Sequence, residues 1–264
     1  MNLDDISTQL LFITLPISAF KNTDNTEFGT GFIINCSIKD RSDISIPLLV
    51  TNWHVVSNAK TISLKLCAAN DDGSPKSNDR IETNLDGSDW LKYRDEELDI
   101  AIIPMAPIFT NLIASGKKFF YKSISFDLFP SESTISEFAA LEEIIFIGYP
   151  SGIQDSFNQS PLIRKGITAT PIWRDFENKP RFVIDAGVFP GSSGSPVFLF
   201  NQGGYTTKKG LHLGSRLNFL GILTTTFIRK EIANQSTYLG LGEVIKSYKV
   251  KEFIEKSLSQ MTTQ

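Results

Sequence analysis

Ten short apolar runs, each about one strand long and each bounded by Gly, Asn, Asp, Ser or Pro, constrain this chain more than any other feature. They cover residues 10–15, 31–35, 46–51, 61–66, 100–103, 143–148, 181–185, 197–200, 219–224 and 236–241. Alternation with a period of two suits a pleated strand, whose successive side chains face opposite ways. So many short strands, with hardly a helical pattern among them, predict an all-β barrel or sandwich. The end of the chain differs: Val250, Phe253, Ile254 and Leu258 fall at i, i+3, i+4 and i+8, the apolar stripe of an amphipathic helix over about 246–258. A weaker helical pattern covers 133–141, the stretches 68–80 and 201–216 read as surface excursions, and no internal repeat is found.

With 264 residues, 41% of them hydrophobic, the chain can bury a large core. A net charge of −3 gives no electrostatic reason to expect a nucleic acid or an anionic membrane as partner. The acidic start Met1-Asn2-Leu3-Asp4-Asp5 is unlike an export signal, and the apolar stretch 10–17 is broken by Thr14 and Pro16. A cytoplasmic location is therefore expected, with Cys36 and Cys67 as free thiols. No Cys-His cluster suggests a metal, and no cofactor is expected.

Chemistry concentrates in Phe189-Pro190-Gly191-Ser192-Ser193-Gly194-Ser195-Pro196. Glycines at 191 and 194 permit a bend that residues with a Cβ resist. Such a bend holds a hydroxyl out and can converge backbone N–H groups beside it as an oxyanion hole. The same composition also suits an ordinary loop, so the partners decide. A serine nucleophile needs a base, and the chain has two histidines. His212 lies between glycines in an expected surface loop, whereas His54 follows the buried-looking run 48–51. Asp99, between Leu98 and the apolar run 100–103, is expected to be partly buried and must then be paired; His54 is the natural partner.

Thr51-Asn52-Trp53-His54-Val55-Val56, then Leu98-Asp99-Ile100-Ala101, then Gly191-Ser192-Ser193-Gly194-Ser195-Pro196, in that order, resemble the chymotrypsin-like (trypsin-like) serine peptidases, most nearly the bacterial HtrA and glutamyl endopeptidase types. Separations of 45 and 94 residues leave room for one barrel on each side. Phe28-Gly29-Thr30-Gly31 and Phe146-Ile147-Gly148-Tyr149-Pro150 resemble early strands of the family's two barrels, and the likeness runs from about 10 to 258. The resemblance implies two packed six-stranded antiparallel β-barrels with a C-terminal helix. One peptidase domain would then span 1–258: an N-terminal barrel over about 8–110, a connecting segment over about 104–140, a C-terminal barrel over about 141–242, the helix, and a tail at 259–264. It further implies Ser193 as nucleophile, His54 as general base, Asp99 orienting His54, and the N–H groups of Gly191 and Ser193 as oxyanion hole. The substrate would be a protein or peptide.

Departures from the family's pattern narrow the expectation. Ser192 stands where digestive members carry an aspartate that pairs with a new N-terminus, so activation by cleavage is not expected. The strand that binds substrate should be 221–226, with Leu223, Thr224 and Thr225 as contacts. Leu223 replaces the histidine of glutamyl-specific members, so acidic specificity is not expected, and Asp185 is read as structural. The basic pair Arg164-Lys165 is read as a strand start with solvated charges rather than an anion site, and Trp53 as packing that keeps water from His54. A second reading is a peptidase-fold protein that binds an extended peptide or partner with latent or weak catalysis. An esterase is a third, although the Gly-x-Ser-x-Gly elbow is missing because residue 195 is serine. A cytoplasmic peptidase also needs restraint, hence an expected latent cleft opened by a regulatory partner or a specific substrate.

Overall fold

The structure, a computed structural model, describes residues 2–22, 25–38, 41–207, 210–230 and 236–262. The first half of the chain runs α1 (Ile6–Leu10), β1 (Thr14–Asn22), β2 (Asn25–Ile38), β3 (Arg41–Thr51), α2 (Trp53–Val56), β4 (Thr61–Ala69), β5 (Pro75–Asp86), β6 (Tyr93–Asp95), β7 (Ile100–Pro104), α3 (Ala106–Ala114), β8 (Phe119–Phe120) and α4 (Glu132–Glu137). The second runs β9 (Glu143–Gly148), β10 (Leu162–Thr168), β11 (Arg181–Asp185), β12 (Pro196–Asn201), β13 (Gly204–Thr207), β14 (Gly210–Leu213), β15 (Arg216–Lys230), β16 (Ser236–Lys246) and α5 (Ser247–Thr262).

Strands β9, β10, β11, β16, β15 and β12 close into the expected six-stranded barrel. The N-terminal half departs from expectation, because its eight strands form a sheet whose path β5-β4-β1-β2-β3-β7-β6 does not close, with β8 added on β4. The cause lies where the seam should be. After β5 the chain turns into a 3-10 helix, Ser88–Leu91, and β6 is only three residues long. Leu91 and Trp90 pack into the sheet's interior there, so side chains rather than a hydrogen-bond ladder fill the gap.

Three apolar clusters hold the molecule together. One lies inside the N-terminal sheet around Ile17, Leu49 and Ile103. A second fills the barrel around Phe146, Phe182 and Leu199. The third joins the two halves, with Phe32, Ile34 and Leu48 from one side and Phe198, Phe219 and Ile245 from the other. Helix α5 seals that junction with Val250, Phe253 and Ile254, each contributing about 1.5–3 kcal/mol on burial, which is the stripe its periodicity predicts. Both cysteines are buried and unpaired.

Two expectations about local structure are corrected. The run 10–15 enters its strand only at Thr14, because residues 6–10 form a helical turn that the Asp5 carboxylate caps by accepting from Thr8 N–H at 2.9 Å. The excursion 68–80 is mostly the β4–β5 ladder, and its turn is short, closed by Asn70 N–H donating to the Ser74 carbonyl at 2.8 Å.

Candidate active site

His54 comes from the N-terminal half, on the single turn α2 that follows β3, and Asp99 from the turn before β7. Asp99 has φ of +63°, a left-handed conformation that strains a residue with a Cβ by about 1–3 kcal/mol. The conformation lets one residue serve its neighbour from both ends. The Asp99 carbonyl accepts from Asn52 Nδ2 at 2.9 Å and from Trp53 N–H at 3.3 Å. Its carboxylate accepts from the His54 backbone N–H at 2.9 Å and meets the imidazole Nδ1 at 2.8 Å. With Nδ1 held by an anion, the proton sits on Nδ1 and Nε2 keeps its lone pair. Burial pushes the Asp99 carboxyl up, but the hydrogen bond and charge of His54 and the hydroxyl of Thr224 outweigh it, so the group is held below its ordinary value. The Asp99 side chain is 17% exposed and that of His54 44%, which is the asymmetry of an orienting group behind a group that meets solvent. Trp53 packs half-buried against the sheet interior beneath the Arg94 guanidinium, 4.9 Å away.

Ser193 and Thr224 arrive from the barrel, and Thr224 joins the two halves of the site. Its hydroxyl donates to Asp99 Oδ2 at 2.5 Å, while its carbonyl accepts from Ser193 Oγ at 3.0 Å. Imidazole and carboxylate are thus bonded to each other, and Thr224 bonds both the carboxylate and the alcohol, while the Ser193 hydroxyl is directed to the Thr224 carbonyl rather than to His54. Thr225, next along β15, is exposed. Leu223, expected to contact substrate, is instead fully buried in the barrel core. Its backbone is used internally, with N–H donating to Ser195 and the carbonyl accepting from Gly194 N–H.

The loop before Ser193 presents its backbone in alternation. Ser192 N–H donates to the Phe189 carbonyl at 3.1 Å, Gly194 N–H to Leu223 at 2.8 Å and Ser195 N–H to Ser192 at 3.1 Å. Among the described residues the N–H groups of Gly191 and Ser193 have no acceptor. The direction of the Gly191 N–H follows from what holds the loop. The Pro190 carbonyl accepts from Ser151 N–H at 2.6 Å and from Ser151 Oγ at 3.2 Å. The Pro190–Gly191 peptide is trans, so the Gly191 N–H points to the other side, away from Ser151. Glycine is required at 191, where φ is +82° and a Cβ would lie 2.3 Å from Ser151 N. It is required again at 194, where φ is +85° and a Cβ would lie 1.8 Å from the Thr30 carbonyl oxygen.

Thr30, Thr224, Ser151 and Asn52 are positions that sequence reasoning did not assign to these tasks. Thr30 N–H donates to the Ser193 carbonyl at 2.9 Å, and its hydroxyl accepts from Tyr149 N–H at 3.1 Å, stitching β2 to the Ser193 loop. A signal existed for Thr30, since glycines flank it in an otherwise apolar strand. None existed for Thr224, one of three consecutive threonines. His212 lies on the β13–β14 hairpin, bonded to Thr207 and stacked on Tyr205, away from this crevice. Among the described residues no group of His, Cys, Asp and Glu is arranged to hold a metal.

A family model described as "Trypsin-like peptidase domain" matches residues 29–205 of the chain. Among solved structures, the Deg5 crystal structure is 14% identical, with a TM-score of 0.50 over 93% of this chain and 88% of that one; it is a likeness of fold. Two further matches are the active form of the Rv3671c protease from M. tuberculosis, 14% identical with a TM-score of 0.49 over 95% of this chain and 82% of that one, and tobacco etch virus protease complexed with product, 12% identical with a TM-score of 0.49 over 94% and 80%. No curated protein matches the sequence.

Proposed function

Because this chain belongs to the trypsin-like peptidase domain family, we propose that it is a serine endopeptidase, with Ser193 as nucleophile, His54 as general base and then acid, and Asp99 as the group that orients His54. The observation that carries the reading is the chain of bonds in which His54 meets Asp99, Asp99 accepts from the Thr224 hydroxyl and Ser193 donates to the Thr224 carbonyl, with the N–H groups of Gly191 and Ser193 left without an acceptor among the described residues. In the reaction Ser193 Oγ leaves the Thr224 carbonyl for His54 Nε2, passes its proton there and attacks the scissile carbonyl carbon. The oxyanion that forms takes the N–H groups of Gly191 and Ser193. Collapse breaks the C–N bond, His54 returns the proton to the leaving amine, and the acyl group remains on Ser193. Water then repeats the sequence and releases the acid. The route uses the chain's own side chains and needs no added cofactor.

The hydroxyl's contact with Thr224 favours a resting state that substrate relieves. A peptide laid along Thr224–Thr226 as an added strand would offer a backbone N–H to the Thr224 carbonyl, taking the acceptor that Ser193 now uses. The alternative, peptide capture with weak catalysis, draws on the same contact. A partner that binds the cleft first would act through it too, and a reducing, cytoplasmic setting agrees with the two unpaired cysteines. Digestion of a proteome-derived peptide library decides between the readings. Cleavage by the wild type that disappears in Ser193→Ala supports hydrolysis, whereas binding of peptides by both proteins without cleavage supports capture.

A further inference from the structure

Arg164 is half-buried, yet among the described residues no carboxylate and no hydrogen-bond acceptor meets its guanidinium. It is in register with Phe146 of the neighbouring strand, so the two side chains share a face, and Phe146 belongs to the barrel core. The guanidinium therefore reaches over the barrel's end, 5.5 Å from the Phe146 ring and 5.1 Å from that of Phe189. A Cβ on Gly187 would lie 3.0 Å from Arg164 Nη2. Gly187, Val188 and Phe189 lead directly into Gly191 and Ser193. Across from them Thr226 Oγ1 donates to the Val188 carbonyl at 3.1 Å, which ties this segment to the strand carrying Thr224.

A charge drawn partly out of water is costly unless it is paired. Arg181 and Arg216, half-buried in the same barrel, hold Glu243 and Glu142. Arg164 has aromatic faces instead, which recover part of the cost but leave its planar fork of five N–H donors, shaped for a carboxylate, unused. Burial also pulls this guanidinium below the usual arginine range, and it stays charged at any working pH.

We propose that Arg164 selects the substrate residue on the acyl side of the scissile bond, and that this residue is acidic. Its carboxylate is the partner the protein leaves out. The inference rests on the hydrolytic reading above, and it differs from recognition in the glutamyl-specific relatives because it needs no histidine at position 223.

The test compares peptides that carry Glu, Gln, Leu or Lys at that one position. The wild type is expected to favour Glu over Gln by about 10- to 100-fold in kcat/KM, the size of a charge-assisted pair. Arg164→Leu should erase that preference, so that Glu and Gln peptides are handled alike, while Arg164→Lys should retain part of it; melting curves of both variants establish that they are folded. Binding of the same peptides to Ser193→Ala, read by fluorescence anisotropy, supplies a second readout free of turnover. Tighter binding of the Glu peptide supports the inference even if hydrolysis is too slow to follow, and equal binding of Glu and Gln peptides overturns it. Cleavage without acidic preference overturns the inference and leaves the hydrolytic reading standing. Acid-selective binding that Arg164→Leu abolishes, with no cleavage, overturns the hydrolytic reading and leaves Arg164 as the acid-selecting group of a peptide-capture site.

Discussion

Replacing Thr224 by valine keeps the side chain's shape and removes the hydroxyl that ties the barrel to Asp99 of the N-terminal half at the candidate active site. Thr224 is 3% exposed, and its hydroxyl donates to an ionised carboxylate at 2.5 Å. A hydrogen bond to a charged group contributes about 1.5–3 kcal/mol, and for a domain of this size that lowers Tm by about 3–12 °C. The pH dependence separates this bond from packing. Asp99 is held below its ordinary value in the folded protein, so its contribution is fully present above the unfolded carboxyl's pKa of about 3.9 and is lost as pH falls through the lower folded value. The Tm gap between wild type and Thr224→Val should therefore be widest near neutrality and shrink in acid. Thr224→Ser, which keeps a hydroxyl, should recover most of it. A gap that is the same at all pH values would mean lost packing, and the absence of any gap would refute the bond's role.

Three further outcomes follow from the same structure. Asp99→Asn should lower kcat by about 10⁴-fold, because an amide fixes the wrong tautomer of His54, and a cooperative melt still well above the assay temperature would show that the loss is chemical. Glu142→Gln should destabilise the protein by about 3–5 kcal/mol in urea titrations, because the Arg216–Glu142 side chains are only 13% and 6% exposed and the variant removes the one carboxylate paired with the guanidinium among the described residues. Cys36 should resist thiol reagents until the protein is unfolded, since burial pushes its thiol up to about 12.

How much of this was legible in the sequence depended on whether a residue's task was written in its neighbours. Ser193 lies between two glycines, His54 ends a buried run and Asp99 opens one, so local pattern marked all three positions. The strands 143–148 and 181–185 were bounded by turn residues at both ends and coincide with β9 and β11. Thr224 carried no such mark, because its importance comes from a carboxylate far away in the chain. Barrel closure was equally hidden, since it depends on whether two edge strands meet, and a three-residue β6 beside a 3-10 turn leaves the N-terminal sheet open. The helix α3 lay inside the expected connecting segment 104–140, although Pro107 near its start and buried Ile108, Phe109 and Leu112 gave its outline. Arg164 looked like a solvated strand start because sequence shows a charge but not the missing counter-charge.

The most direct measurement is covalent. Purified wild-type protein is treated with an alkyl fluorophosphonate, and the adduct is located by peptide mass spectrometry. An adduct confined to Ser193, lost in His54→Ala while the fold persists, is the expected result. A folded protein that takes no label at Ser193, or takes it equally well without His54, would contradict the account.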